Sequence, residues 1–316
     1  MPDLPGPGDC RGGCVYQPKF DGWRALLFRR ADGTVYLQSR QLRDLTPYFP
    51  DIAAAAAATL PPETVLDGEL IVWDPAAGRT LFPALQARVS AGRRLPTLAA
   101  AQPATFVAFD VLELCGTLTT GAPLSERRTM LEEILGDGPA ALPVCPQTGD
   151  LDQARQWFDE LACTGCEGIV AKDDAGRYRA GRPGWWKIKR RTTTEAIVAG
   201  VLGTVEAPAV LLLGRYTPDG RLRYVGRTVP LAAVQRAELA GALTAATGVH
   251  PWPWPLPAAW SGQLDRREQQ DYLPVDPRVI AEIVVDEAHE HGRWRHLVRL
   301  ERLRGDLRPQ DVPPPP

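Results

Sequence analysis

Short apolar runs and alternations of apolar with polar residues punctuate the chain before position 191. Those at 25–29, 35–39, 64–73, 105–114 and 167–171 predict strands. Helical spacing takes over between them: in the Ala-rich stretch 51–59, in 82–90 beside a proline, and in 124–135, which stops at Gly136. The stretch 151–163 carries the clearest start signal, because Asp150 and Gln153 have capping-box spacing ahead of apolar Ala154, Trp157, Phe158 and Leu161. Strands and helices mixed in this way predict an α+β domain over 1–191.

Past Thr192 the rhythm changes. Strands are predicted at 195–203, 209–216 and 222–229, the last two joined by the turn Pro218-Asp219-Gly220, and again at 279–286 and 294–302. One helix, 231–247, and a proline-stiffened loop, 250–255, interrupt them. Short strands around one helix predict a small β-barrel of the OB-fold kind over 192–316, ending in a disordered Pro-rich tail at 313–316.

A chain of 316 residues is long enough for these two domains. No apolar run approaches the ~18 residues of a membrane span, and the polar start 1–11 does not read as a signal peptide, so a cytoplasmic protein with no membrane partner is expected. The 36 basic and 38 acidic residues nearly cancel, to a net charge of -2, so a polyanionic partner would need the basic groups gathered on one face. Only four of the basic residues are lysines: Lys19, Lys172, Lys187 and Lys189. In a chain that otherwise uses arginine, a lysine marks a position where a guanidinium does not serve. The chemical difference is that an amine can lose its proton and attack.

The octet Gln17-Pro18-Lys19-Phe20-Asp21-Gly22-Trp23-Arg24 sets a lysine, a carboxylate, a glycine and an arginine around one turn, with Lys19 and Asp21 on the same side. A lysine nucleophile beside an acid and a cation suits attack on phosphorus, where phosphate oxygens need neutralising. Taken alone, the octet fits a charged surface turn equally well. Four further segments accompany it: Leu66-Asp67-Gly68-Glu69-Leu70, Phe106-Val107-Ala108-Phe109-Asp110, Cys166-Glu167-Gly168-Ile169-Val170-Ala171-Lys172 and Trp185-Trp186-Lys187-Ile188-Lys189-Arg190. Each brings an acid, an aromatic or a pair of lysines to a strand or its end.

In this order and spacing the segments resemble those of the covalent nucleotidyltransferase superfamily, and within it the ATP-dependent DNA ligases of the short bacterial type. The likeness runs from Tyr16 to about Pro309. It implies an α+β nucleotidyltransferase domain followed by the OB-fold barrel. It also implies ATP as cofactor, with Mg2+ or Mn2+, and nicked double-stranded DNA as partner. By the same resemblance Lys19 becomes adenylylated, with Asp21, Lys187 and Lys189 as catalytic neighbours. Gln17 stands where the adenine amino group is read, and Arg24 and Arg40 contact ribose and phosphates. Glu69 holds the ribose or a metal, Phe109 stacks on adenine, Glu167 binds metal, and Lys187 and Lys189 hold the α-phosphate. Arg302, Arg304 and Asp306, in Arg302-Leu303-Arg304-Gly305-Asp306-Leu307, orient pyrophosphate. The barrel must face first nucleotide and then DNA, which places a hinge at 190–194. A monomer associated with the nucleoid and acting with other DNA-repair proteins is expected.

Two positions depart from the family pattern: Gln17 replaces the usual glutamate, and Leu307 stands where a basic residue usually closes the last motif, with Arg308 one step on. A glutamine offers a carbonyl or an NH2 according to how it turns, so reduced discrimination against GTP is expected; Leu307 bears on the rate of the ATP step. The basic set Arg293, Arg295, His296, Arg299, Arg302, Arg304 and Arg308 reads as a duplex-facing surface. Cys163 with Cys166 is a C-x-x-C and Cys10 with Cys14 a C-x-x-x-C, but the two pairs would meet as a zinc site only by tertiary accident, and they read as ordinary buried thiols; His289 and His291 receive no role. Three alternatives stay open: an RNA ligase or a GTP-using capping enzyme of the same superfamily, and a non-catalytic protein that binds nicks or ends.

Overall fold

Two hydrophobic patterns before residue 191 become two antiparallel sheets in the computed structural model. The structure describes residues 4–181, 184–190, 192–258, 260, 269–286, 289–290 and 292–315. The chain divides after Arg190 into two compact units. The first contains strands β1 (Cys14–Phe20), β2 (Trp23–Arg29), β3 (Val35–Ser39), β4 (Thr64–Asp74), β5 (Ala104–Leu114), β6 (Cys166–Asp173) and β7 (Trp186–Lys189). Its helices are α1 (Pro50–Thr59), α2 (Phe82–Ser90), α3 (Leu95–Ala101), α4 (Leu124–Leu135) and α5 (Leu151–Glu160).

One sheet has the order β3-β2-β4-β5 and the other β1-β6-β7. On the first, Leu27, Leu37, Leu66, Leu70 and Phe106 pack against Ile52, Leu85, Leu131 and Leu135 of the helices. Strands β4 and β5 read as nearly unbroken apolar runs because their other face is covered too, by the cluster of Ile71, Val107 and Cys145 with Phe20 and Phe109. On the second sheet, Cys14, Tyr16, Ile169 and Ala171 pack against Ala154 and Phe158 of α5. Helix α5 starts where its cap predicts, with Asp150 Oδ1 accepting from the backbone N–H of Asp152 at 2.8 Å. It ends at Glu160 rather than at 163, since Leu161–Thr164 tighten into a 3-10 turn before β6. Sequence periodicity alone does not register that change.

The second unit contains β8 (Thr192–Gly203), β9 (Pro208–Tyr216), β10 (Leu222–Arg227), helix α6 (Ala233–Ala240), β11 (Ile280–Val285) and β12 (Arg299–Leu303). Its sheet runs β10-β9-β8-β11-β12 and curls until the chain beyond one edge meets the chain before the other. Val229 N–H donates to Val298 O at 2.8 Å, and Val298 N–H to Arg227 O at 3.0 Å.

Three expectations for this unit need correction. The helix stops at Ala240, not 247, because Leu243 enters the core and Ala245 bridges Val275. The strand expected over 294–302 is split. A regular strand would turn His296 inward with Trp294, Val298 and Leu300, whereas a bend lets its Nδ1 meet Asp286 Oδ2 at 2.5 Å. The tail is not loose as far as it is described: Val312 is buried, and Arg215 donates to Pro314 O at 3.1 Å. Of the hinge expected at 190–194, Arg191 lies outside the described residues, and Thr192–Thr194 are already strand, paired with Val285–Ile283.

Candidate active site

The register of the three-stranded sheet collects the lysines. Lys19 of β1 pairs with Gly168 of β6, and Gly168 with Lys189 of β7. One row further, Gln17, Val170 and Lys187 lie side by side, and beyond them Val15 pairs with Lys172. Directly paired residues share a face, so all four lysines of the chain stand on the face turned away from α5. Gly168 is needed between its neighbours. Its φ of +149° and a Cβ that would run into the Ile188 carbonyl both exclude a side chain there.

Lys19 Nζ lies 2.5 Å from Glu167 Oε2, and Lys189 Nζ reaches the same oxygen at 3.0 Å. Burial would raise the Glu167 carboxyl, but the two ammonium groups outweigh it and hold it down at about 2. Lys187 makes no ion pair among the described residues; partial burial of its amine and the charges of Arg24, Lys19 and Arg40 push it below the ordinary range. Asp21 sits in the bend that follows Lys19 and adds its charge to Glu69 of β4. The Glu69 carboxylate has no hydrogen bond or ion-pair partner among the described residues. Burial, against the opposing charges of Lys19 and Arg24, raises it to about 8.

Arg24 is held rather than free. Its Nε and Nη2 donate to the two oxygens of fully buried Asp67 at 3.0 and 2.6 Å, and the Tyr178 hydroxyl donates to Asp67 at 2.8 Å. The guanidinium lies 5.1 Å from the Trp185 ring centre, and burial is outweighed by Asp67, so its pKa rises above the ordinary value. Beside it opens a cavity of about 730 Å³, lined by Arg24, Arg40, Asp67, Tyr178, Trp185 and Lys187, with Arg40 itself exposed.

Phe109 meets Trp185 edge-on at 5.6 Å, and the Lys172 ammonium lies 4.7 Å from its ring centre and 4.1 Å from that of Trp185. Lys172 is buried, and burial, opposed by Asp110, Cys145 and Asp67, lowers its pKa from 10.5 to about 8. The folded state therefore disfavours the charged amine, with the full penalty below pH 8, a decline as pH rises towards 10.5, and none above. Lys172→Met is expected to be more stable than wild type near neutral pH, by a margin that shrinks over that window. Thermal unfolding of both proteins across it checks this, and a margin independent of pH would count against it. Next to this group, Gln17 is buried and its Nε2 donates to Gln147 Oε1 at 2.8 Å.

A family model described as the ATP dependent DNA ligase domain matches residues 9–189. DNA ligase C2 of Mycolicibacterium smegmatis is 37% identical, over 93% of this chain and 87% of its own length. DNA ligase C of Mycobacterium tuberculosis is 36% identical over the same shares, 93% and 87%. The chain belongs to the ATP-dependent DNA ligase family. A solved structure of mycobacterial DNA ligase D complexed with ATP and MES matches it with a TM-score of 0.50 at 28% identity, covering 99% of this chain and 97% of that one.

In this ATP-dependent DNA ligase the structure brings together Gln17, Lys19, Asp21, Arg24, Glu69, Phe109, Glu167, Lys187 and Lys189 around two sheets, with Arg40 at the cavity edge. Arg302, Arg304 and Asp306 belong to the second unit and form an ion-pair cluster of their own. Arg304 pairs with Asp306 at 2.8 Å and with Glu195 at 3.0 Å, while Arg302 pairs with Glu282 at 2.6 Å. Leu307 has a packing reason, since it joins the core around Val312, Tyr224 and Ile280. Sequence reasoning missed Tyr178 and Gln147, which are ordinary polar residues between motifs. It quoted Asp67, Lys172 and Trp185 within motifs but gave them no role. Scarcity of lysine was the signal that could have drawn Lys172 in.

The thiol reading is corrected at one pair. Cys10 and Cys14 form a disulfide, because the turn after a 3-10 helix at Pro7–Asp9 brings their Cα atoms to 5.3 Å. Cys145 and Cys166 are buried, and burial pushes the Cys145 thiol up to about 12. The Cys163 side chain and His291 lie outside what is described. No helix among the described residues is long and apolar enough to cross a membrane.

Proposed function

We propose that Lys19 is the nucleophile of this ligase, that the first unit is its adenylyltransferase domain, and that the second is an OB-fold domain that grips duplex DNA. One observation carries the reading: the Lys19 amine is fixed by Glu167 on a sheet face shared with Lys187 and Lys189. Nζ gives up one proton to solvent, the neutral amine bonds to the α-phosphorus of ATP and sheds a second proton to solvent, the bond to the bridging oxygen breaks, and pyrophosphate leaves. A 5′-phosphate oxygen at the nick then attacks the same phosphorus, the P–N bond breaks, and Nζ takes a proton from solvent to leave as the amine. Finally the 3′-hydroxyl attacks the 5′-phosphorus, its proton goes to solvent, the phosphodiester forms and AMP leaves. Lys187 and Lys189 offset charge on the α-phosphate, Arg24 and Arg40 face ribose and phosphates, and Phe109 offers its ring to adenine.

A divalent cation fits the donor chemistry at Glu69, a hard oxygen ligand left without a partner among the described residues and raised to about 8 by burial. When bound, Mg2+ or Mn2+ supplies positive charge to the phosphates. Glu167 would join Glu69 in holding it once adenylylated Lys19 no longer claims that carboxylate. The basic residues around Arg293, Arg299 and Arg308 suit a phosphate backbone read without sequence, although Arg302 is partly neutralised by Glu282 and the His296 ring is hydrogen-bonded to Asp286. Repair of nicks in nucleoid DNA by a monomer is the role that follows.

Incubation with α-labelled ATP and Mg2+, then with a nicked duplex, tests the reading. Covalent label on Lys19 followed by sealed DNA supports it, and binding of nicks without label leaves a non-catalytic binder. A fragment ending at Arg190 checks the second unit. It is expected to lose self-adenylylation from ATP by about a hundredfold, the usual cost of removing a preorganised charge, yet still to seal pre-adenylylated nicks slowly. Reaction with ATP at full rate would remove the pyrophosphate role from Arg302, Arg304 and Asp306.

A further inference from the structure

Tyr16 and Thr148 exchange backbone hydrogen bonds, Tyr16 N–H to Thr148 O at 2.8 Å and Thr148 N–H to Tyr16 O at 3.0 Å. Their neighbours Gln17 and Gln147 are therefore opposed on a short antiparallel ladder and share a face. The segment is also tied to β5: Cys145 N–H donates to Ala108 O at 2.7 Å, and Ala108 N–H to Pro143 O at 2.9 Å, one residue from Phe109. Gln147 thus stands on backbone held from both sides, between the strand of Gln17 and the strand of Phe109.

A primary amide carries its acceptor and its donors at opposite ends. Once the Gln17 NH2 is spent on Gln147 Oε1 at 2.8 Å, the Gln17 carbonyl oxygen is turned the other way, and it accepts no hydrogen bond among the described residues. We infer that Gln147 is the residue that sets purine selectivity in this ligase: by accepting from Gln17 it presents the Gln17 carbonyl to the 6-amino group of adenine. This rests on the proposed reading together with the family resemblance, which puts Gln17 where the adenine amino group is read. A 6-amino group donates, and a 6-oxo group, as in hypoxanthine or guanine, accepts and is repelled. Locked in this way, Gln17 has the hydrogen-bond polarity of the carboxylate it replaces. The relaxed discrimination expected from an amide free to turn does not follow.

The measurement is covalent labelling of the full-length protein by α-labelled ATP and by α-labelled ITP, which differs from ATP at the 6-position and N1 without adding the guanine 2-amino group. Wild type is expected to favour ATP by at least about tenfold, the worth of one buried hydrogen bond made rather than mispaired. Gln147→Met frees Gln17 to turn, and the ratio should fall to within a few-fold of unity. Gln147→Glu, an acceptor only, should retain the preference, and Gln147→Lys, a donor only, should shift it towards ITP. A merely structural role would lower both rates together and leave their ratio alone. Label with the same ratio in wild type and in the Met and Lys variants overturns this inference alone. Absence of label from wild type with ATP overturns the Lys19 assignment and the inference with it.

Discussion

Lys19→Arg is expected to reduce covalent capture of AMP by at least about a thousandfold while leaving the fold intact. Free lysine, near ~10.4, is neutral in roughly one molecule per thousand at physiological pH, and a guanidinium is never usefully so. The variant keeps a cation for Glu167, whose carboxylate now receives Lys19 at 2.5 Å and Lys189 at 3.0 Å, so no buried charge is stranded. Labelling with ATP, unfolding by heat and peptide mapping together make the check. Mapping matters because Lys187 and Lys189 share the face with Lys19. Label at wild-type level on the variant would remove Lys19 from the chemistry, and its mapped position would name the replacement.

The second large effect concerns stability. Arg127 of α4 and Asp110 of β5, both 1% exposed, form a bidentate pair at 2.7 and 3.0 Å, and Arg127 also donates to the carbonyls of Ala122 at 2.6 Å and Gly176 at 3.1 Å. Arg127→Leu strands the Asp110 carboxylate next to Phe109 and is expected to cost about 3–5 kcal/mol. Removing both charges, in Asp110→Leu with Arg127→Leu, should cost less than the single change, because no unpaired ion remains buried. Urea denaturation of the three proteins measures this. A loss below about 1 kcal/mol in Arg127→Leu would show that water or Lys172 already serves Asp110.

Where an element depends on its own residues, the sequence was sufficient. Strand β3 and helices α2 and α4 fall at the expected residues, since their periods and end signals are local. Scarcity of lysine pointed to the sheet face on which the four amines gather, because the difference between an amine and a guanidinium belongs to the residue itself. Helix α6 and the strand expected over 294–302 were misjudged where residues far along the chain intervene, as Val275 does at Ala245 and Asp286 at His296. The Cys10–Cys14 disulfide likewise needed a turn that spacing does not specify.

Residue type and period by themselves placed scarce lysines, with acids and arginines close by, on strands of an α+β unit, and the family resemblance proposed their roles. Tertiary structure alone decided what each of them touches. Glu167 reaches Lys19 across 148 positions, Tyr178 closes on Asp67 across 111, and Gln147 turns Gln17 across 130. Side-chain alternation is set by neighbours along the backbone, whereas the partner of a carboxylate or an amide exists only once two strands have paired. The polarity that Gln17 offers a purine is therefore a property of the folded sheet rather than of the residue.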